Sequence, residues 1–311
     1  MGESNSILVV GSLHMDLVIR SPRLPAPGET LMGSSFKTSP GGKGANQAVA
    51  AARLGGAVSL LGRVGKDAFG AELLAALTAQ NVDCAHVLVT EDAATGVAII
   101  TVDAQGENAI VVATGANALL TPDDLYGREH LFKQAAFVLL QLELPYPTIR
   151  AAMDLARRHG CKIVLDPAPA AAPLPPDMCQ VDILTPNIVE AAAMTGTRAV
   201  DDSRDKLVAS DLIRCGAAAV ALKLGPRGAL AVMGDGHFYR AQPYKVQVVD
   251  TTAAGDAFTA ALAVACARGD RMHDALTFAT AAGAMACTRL GAQASMPLAQ
   301  EVRMLMDDQP M

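Results

Sequence analysis

The sequence predicts an α/β fold: a doubly wound, mostly parallel central sheet with helices on both faces and a small β-sheet lid. Three observations predict it. Short apolar runs alternate with longer Ala/Leu-rich helical patterns along most of the chain, the mark of βα repetition around a sheet covered on both sides. Trp is absent and aromatic residues make up 4% of the 311, so the core must be built from Ala, Val, Leu and Met, which suits close helix–sheet approach. Two strand-like stretches lie outside the alternation and supply the lid. A chain of this length buries about three quarters of its unfolded surface, enough for one substantial domain.

Taken in order, 7–11 reads as a continuous buried strand, 44–54 as an Ala-rich helix, 58–62 as a strand and 68–80 as a helix. Further strands are expected at 137–141, 162–166, 183–185 and 219–224. Helices are expected near 148–158, 188–195, 203–215, 256–268 and 273–288, and 246–249 reads as β-like. Segments 96–102 and 108–114 predict a hairpin across 103–107, while 17–39 is rich in Pro, Gly and Ser with short apolar pieces. Together, over about 13–40 and 95–115, they read as a lid growing out of a single domain spanning 1–311 and closing over a site. An extension of the main sheet's edge is the alternative.

Net charge is −6, with no Lys/Arg run or basic stripe. That argues against nucleic acid or an anionic membrane as the main partner and leaves a small molecule. The six cysteines are widely spaced, with no paired C-x-x-C. They read as reduced thiols of a cytoplasmic protein. The first residues carry no basic segment, and the apolar run 7–10 is too short for a signal or a membrane span.

Three segments carry chemistry. In Pro40-Gly41-Gly42-Lys43-Gly44-Ala45-Asn46, three glycines let a backbone approach a ligand, and Lys43 and Asn46 add a cation and an amide suited to hydroxyls. A tight turn at a helix start would also explain it. In Asp250-Thr251-Thr252-Ala253-Ala254-Gly255-Asp256, small residues open a long helix whose N–H donors and dipole favour an anion. Asp256 stands where a carboxylate can take a proton from an alcohol; otherwise it simply complements the helix dipole. Asn187 and Glu190 share the first turn of a helix, either as a capping box or as groups that orient hydrated Mg²⁺ and phosphates. Neither a Walker loop nor a protein-kinase Gly-rich loop occurs, and no G-x-G-x-x-G follows the first strand, which excludes the usual dinucleotide fingerprint.

The segments Gly41-Gly42-Lys43-Gly44-Ala45-Asn46-Gln47-Ala48-Val49-Ala50-Ala51 and Asp250 to Asp256 together resemble the two signatures of the ribokinase/phosphofructokinase-B family of sugar kinases. Pro27-Gly28-Glu29-Thr30, Gln141-Leu142-Glu143, Asp166-Pro167-Ala168-Pro169-Ala170, Thr185-Pro186-Asn187 and Gly291-Ala292-Gln293-Ala294-Ser295 extend the similarity over nearly the whole chain. The resemblance implies ATP-dependent phosphorylation of D-ribose at its 5-hydroxyl, with 2-deoxyribose or another small sugar as the alternative acceptor. A sugar-binding regulator without turnover is the reading from another class. By resemblance, Asp256 is the base, and main-chain N–H groups of Ala253, Ala254 and Gly255 form the anion hole. His14, Asp16, Gly42, Lys43, Asn46 and Glu143 would hold the sugar. Asn187, Lys223, Gly225, Gly228, Gly255 and Thr280 would lie along ATP, and Glu190 would organise Mg²⁺ through water. A K⁺ site is implied from Asp250, Thr252, Ala286, Arg289, Gly291 and Ser295, several through backbone oxygens. A homodimer through the lid is implied as well. Three positions depart from the family's pentose kinases: His14 stands for the usual Asn, Lys223 for a small hydroxyl residue, and Thr280 for a His that often packs on adenine. A solvent-facing strand-end residue is the plain alternative for His14.

Overall fold

The computed structural model describes residues 6–169 and 174–309. Ala170, which ends one of the matched segments, lies outside them. The central sheet has eight strands in the order β14-β13-β12-β11-β10-β9-β1-β4. They are β1 (Ser6–Val10), β4 (Ala57–Leu61), β9 (Phe137–Leu140), β10 (Lys162–Leu165), β11 (Ile183–Leu184), β12 (Ala219–Lys223), β13 (Ala229–Met233) and β14 (Phe238–Ala241). The six strands from β4 to β12 run parallel, in register through pairs such as Val9 with Leu60 and Leu139. The last two are antiparallel.

Strand residues alternate between two apolar layers, so both faces are covered. Val9 and Leu139 point to one layer, packed by α1 (Lys43–Arg53), α2 (Ala68–Ala79), α8 (Ala254–Ala267), α9 (Met272–Ala286) and α10 (Ala299–Asp308). Leu8, Val10 and Leu140 point to the other, packed by α3 (Pro122–Tyr126), α4 (Glu129–Gln134), α5 (Tyr146–His159), α6 (Ile188–Thr195) and α7 (Asp202–Arg214). In α8 the run 256–265 is wholly buried and alanine-rich, which lets α1 and α9 come close on either side.

A separate four-stranded sheet has the order β3-β2-β7-β8, from β2 (His14–Arg20), β3 (Ser35–Gly41), β7 (Gly96–Val102) and β8 (Asn108–Ala113). The expected hairpin is β7–β8, and β2 and β3 come from the Pro/Gly/Ser-rich stretch. Among the described residues no strand pairing joins this sheet to the central one, so the edge-extension alternative does not hold. Strand parity splits its two faces. His14 and Asp16 lie on one; Leu17, Ile19, Phe36, Ile99 and Val111 share the other, through pairs such as Leu17 with Ile99 and Ile99 with Val111. Two short strands, β5 (Arg63–Gly65) and β6 (Leu88–Thr90), pair beside it.

The β-like expectation at 246–249 is corrected: this stretch is irregular. Among the described residues it pairs with no strand, and Val249 N–H donates to the Cys287 carbonyl at 2.8 Å. Helix α8 also begins two residues earlier than expected, at Ala254.

Candidate active site

The carboxyl ends of the parallel strands open into a cleft of about 880 Å³, the usual ligand position in an open α/β sheet. Lys43, Asp166, Ala253, Ala254, Gly255 and Asp256 line one part of it. Asn187, Glu190, Lys223, Gly225, Gly228 and Thr280 line the rest.

Two helix starts build the reacting end. The chain enters α1 at Gly42 with φ 91°, where a Cβ would sit 2.7 Å from the His14 nitrogen and 2.8 Å from the Ser12 carbonyl oxygen. Only glycine tolerates both the angle and the approach. Ala253 takes a left-handed φ of 59° and turns the chain into α8, placing Asp256 in the first turn. The Ala254 N–H bends back to the Thr251 carbonyl at 3.3 Å. Those of Ala253 and Gly255 have no protein acceptor among the described residues, and they form the positive end of the helix dipole.

Asp256 is 4% exposed. Asn46 Nδ2 donates to its Oδ2 at 3.0 Å and Gln47 Nε2 to its Oδ1 at 3.2 Å. Gln47 also donates to Asp166 Oδ2 at 3.1 Å, and its own carbonyl accepts from Gln141 Nε2 at 2.7 Å. Burial pushes the Asp256 carboxyl above its ordinary range; Lys43 and the two amides oppose the shift and Asp166 adds to it. For Lys43, burial disfavours the charge, but Asp256, Asp166, Glu143 and Glu190 outweigh it and hold the ammonium firmly protonated.

Next to this lies a polar group rooted in the small sheet. Glu143 Oε2 accepts from the Ser12 hydroxyl and from the Lys43 N–H at 3.1 Å, and lies 3.8 Å from His14 Nδ1. Burial, with Glu143 and Asp256 nearby, pushes the Asp16 carboxyl up to about 7. His14 is 2% exposed, so its solvent-facing alternative is overturned. Burial lowers its pKa against the pull of Glu143 and keeps the ring neutral. His14 Nε2 and Asn46 Oδ1 are buried without a hydrogen-bond partner among the described residues. Such atoms are costly unless a ligand completes them.

At the other end, Asn187 caps α6: its Oδ1 accepts from the N–H groups of Val189 and Glu190 at 2.8 and 2.9 Å. Glu190 returns the bond to the Asn187 N–H at 2.7 Å and accepts from Asn187 Nδ2 at 2.8 Å. The capping box is therefore present, and both residues still border the cleft. Burial raises the Glu190 carboxyl, with Lys223 opposing. Lys223 Nζ reaches Asp166 Oδ1 at 2.8 Å. Gly225 and Gly228, at φ 59° and 81°, form the turn after β12. The Thr280 hydroxyl donates to the Leu276 carbonyl within its own helix at 2.8 Å.

The residues expected around a monovalent cation come together in part. Asp250 Oδ1 accepts from Thr252 N–H and hydroxyl at 2.9 and 2.7 Å, and Oδ2 from Gly291 N–H at 2.9 Å. Burial opposes ionisation there, but these bonds hold the carboxyl below its usual range. Ala286 ends α9, and the following Cys287 carbonyl accepts from Val249 and Asp250. The Arg289 guanidinium is occupied by Glu301, so only its main chain is available. Ser295 is buried, its hydroxyl donating to the Ala292 carbonyl at 2.8 Å. No group of three His, Cys, Asp or Glu among the described residues is placed to hold a metal by itself.

Sequence reasoning gave no site role to Ser12, Gln47, Gln141, Asp166 or Asn117, although Gln47, Gln141 and Asp166 stand in the matched segments. Gln47 and Gln141 were legible only as neighbours of Asn46 and Glu143. Asn117, whose amide brackets the Leu13 main chain at 3.0 and 2.8 Å just before His14, left no local signal.

Residues 4–299 match the model of the pfkB family of carbohydrate kinases. The chain is 37% identical over 296 residues to a ribokinase of Haemophilus influenzae, spanning 95% of this chain and 96% of that one. It is 33% identical over 294 residues to a deoxyribokinase of Salmonella typhi, spanning 94% and 95%. The fold superposes on an Arabidopsis thaliana ribokinase complexed with ribose and ATP with a TM-score of 0.90, at 32% identity and over 97% and 98% of the two chains. In this chain a buried carboxylate at a helix start and a glycine-lysine turn border one cleft, and the match over residues 4–299 shows that the chain belongs to the pfkB family of carbohydrate kinases.

Proposed function

We propose that this enzyme transfers the γ-phosphoryl group of ATP to the 5-hydroxyl of D-ribose, giving ribose 5-phosphate and ADP. One observation carries the reading: the Asp256 carboxylate, the free N–H groups at the start of α8 and the Lys43 ammonium border the same cleft. Asp256 accepts the hydroxyl proton, and its raised proton affinity favours that step. The free N–H groups of Ala253 and Gly255, beside Ala254, receive the charge that develops on the phosphoryl oxygens, with Lys43 adding a fixed positive charge. His14, Asp16, Gly42, Lys43, Asn46 and Glu143 orient the sugar, and its hydroxyls complete the unpaired His14 Nε2 and Asn46 Oδ1. Asn187, Lys223, Gly225, Gly228, Gly255 and Thr280 line the nucleotide.

Mg²⁺ suits a site poor in protein ligands, because it keeps waters and leans on the phosphates, whose charge it neutralises. Glu190 would hold one of those waters. The ionised Asp250, with main-chain oxygens around Thr252, Ala286, Arg289, Gly291 and Ser295, is the hard oxygen donor chemistry that fits K⁺, which would add positive charge behind the anion hole. The small sheet, over about 13–40 and 95–115, acts as a lid on a single domain, and its apolar outer face makes a homodimer. Six unpaired thiols fit a reducing cytoplasm. Among the described residues no helix is long and apolar enough to cross a membrane.

Coupled measurement of ADP release over a panel of pentoses and hexoses, with and without K⁺, tests the reading. Ribose is expected as the best acceptor by about tenfold or more, with K⁺ raising the rate. His14 favours a second reading, 2-deoxyribose or another small sugar, because it places a bulkier ring beside Glu143. A higher kcat/KM for one of those sugars selects it. Sugar-independent ADP release would defeat both.

A further inference from the structure

We propose that Lys223 is a phosphate-binding cation built into the nucleotide end of the anion hole and held ready there by Asp166. The inference rests on the kinase reading above and deepens it. Lys223 closes β12, with a side chain 11% exposed, and its Nζ lies 2.8 Å from Asp166 Oδ1, itself 2% exposed. A Cβ placed on Gly255 would be 3.3 Å from that same Nζ, so the ammonium stands directly against the first turn of α8. Both Lys223 and Gly255 border the cleft.

An ammonium has three donors, and Asp166 takes one of them; no other hydrogen-bond acceptor is found among the described residues. The remaining donors therefore stand beside the unpaired Gly255 N–H, where main-chain donors and helix dipole already favour negative charge. A cation buried at that spot has little to do for an uncharged adenosine. It has a direct use for the phosphates of a nucleotide. Lys223 acts by charge and hydrogen bonding, with Asp166 fixing its direction. Asp166 shares the Gln47 amide with Asp256, so the residue that aims the cation is tied to the base across the cleft.

The test compares ADP with adenosine by titration calorimetry on the full-length protein. Lys223→Gln keeps a donor for Asp166 and so leaves the buried carboxylate partnered; Lys223→Arg keeps the charge. ADP affinity is expected to fall about 10- to 100-fold in Lys223→Gln, the range of a hydrogen bond to a charged group, while adenosine affinity stays within about twofold. Lys223→Arg should recover most of the loss. Equal losses for ADP and adenosine, no loss for either, or no recovery with Arg would overturn the assignment. Ribose-dependent ADP release by the unaltered enzyme is measured alongside. If that fails, the kinase reading falls; if it succeeds while the ADP-to-adenosine ratio ignores Lys223, only this inference falls.

Discussion

The Asp16 carboxyl, held at about 7 instead of the ordinary 3.8, shows what burying a carboxylate beside Glu143 and Asp256 costs the folded chain. Between those two values the native protein keeps a proton that the unfolded chain has lost. The native state then binds more protons, and stability falls as pH rises through that window. Asp16→Asn removes this penalty. Its melting temperature should exceed that of the parent at about pH 8, with the gap closing towards about pH 4, while ribose affinity drops because an amide cannot accept as a carboxylate does. A melting series across pH, paired with ribose titration, checks both halves. His14→Asn tests the neighbouring departure: if His14 sets acceptor preference, the ratio of ribose to 2-deoxyribose turnover moves, whereas an unmoved ratio makes it a packing residue. At this scale the sequence disclosed groups with distinctive chemistry in short motifs, such as Lys43, Asn46 and Asp256. It did not disclose the roles of Gln47, Gln141 and Asp166, because these lie in bonds between residues about 94 to 209 positions apart.

Helices α1 and α8 do their work by starting in the right place, and close backbone approach is what fixes them. A Cβ on Gly44 would meet the Gly11 carbonyl carbon at 2.5 Å and the Ser12 nitrogen at 2.6 Å, both rigid main chain. Gly44→Ala must therefore push α1 off the end of β1. The expected cost is about 1–3 kcal/mol of stability, read from the urea midpoint at unchanged slope. A fall in kcat/KM should accompany it as Lys43 and Asn46 shift. Unchanged stability and activity would mean the two segments are not locked together. The parallel strands and their helices were legible because a period near 2 or a continuous apolar run gives way repeatedly to a helical pattern. The edge pair β13 and β14 was not, although Gly234 and Gly236 between them mark a turn. An apolar run alone does not reveal whether a strand adds parallel or antiparallel. Residues 246–249 misled for the reverse reason: four residues of strand-like composition have no partner strand to pair with.

For the whole molecule, the small sheet divides its labour by face. His14 and Asp16 lie on the face beside Glu143, while Ile19, Phe36, Ile99 and Val111 share the opposite face and are 36%, 64%, 50% and 68% exposed. A patch of that size and character on a lid is expected to be covered by a second copy. Light scattering should give twice 32.0 kDa, about 64 kDa, and the double change Ile99→Lys with Val111→Lys should return the mass to that of one chain. A monomer from the unaltered protein would remove the dimer and leave the cleft untouched. In the proposed reading, lid, turn and helix start together deliver one sugar hydroxyl to Asp256 under a cradle of N–H donors. Steady-state kinetics of Asp256→Asn with ribose and ATP tests this most directly. The expected result is a kcat lowered by ~10²–10⁴ or more, with ribose affinity nearly unchanged. Turnover at the parental rate would show that the proton leaves by another route and that the cleft has been assigned the wrong base.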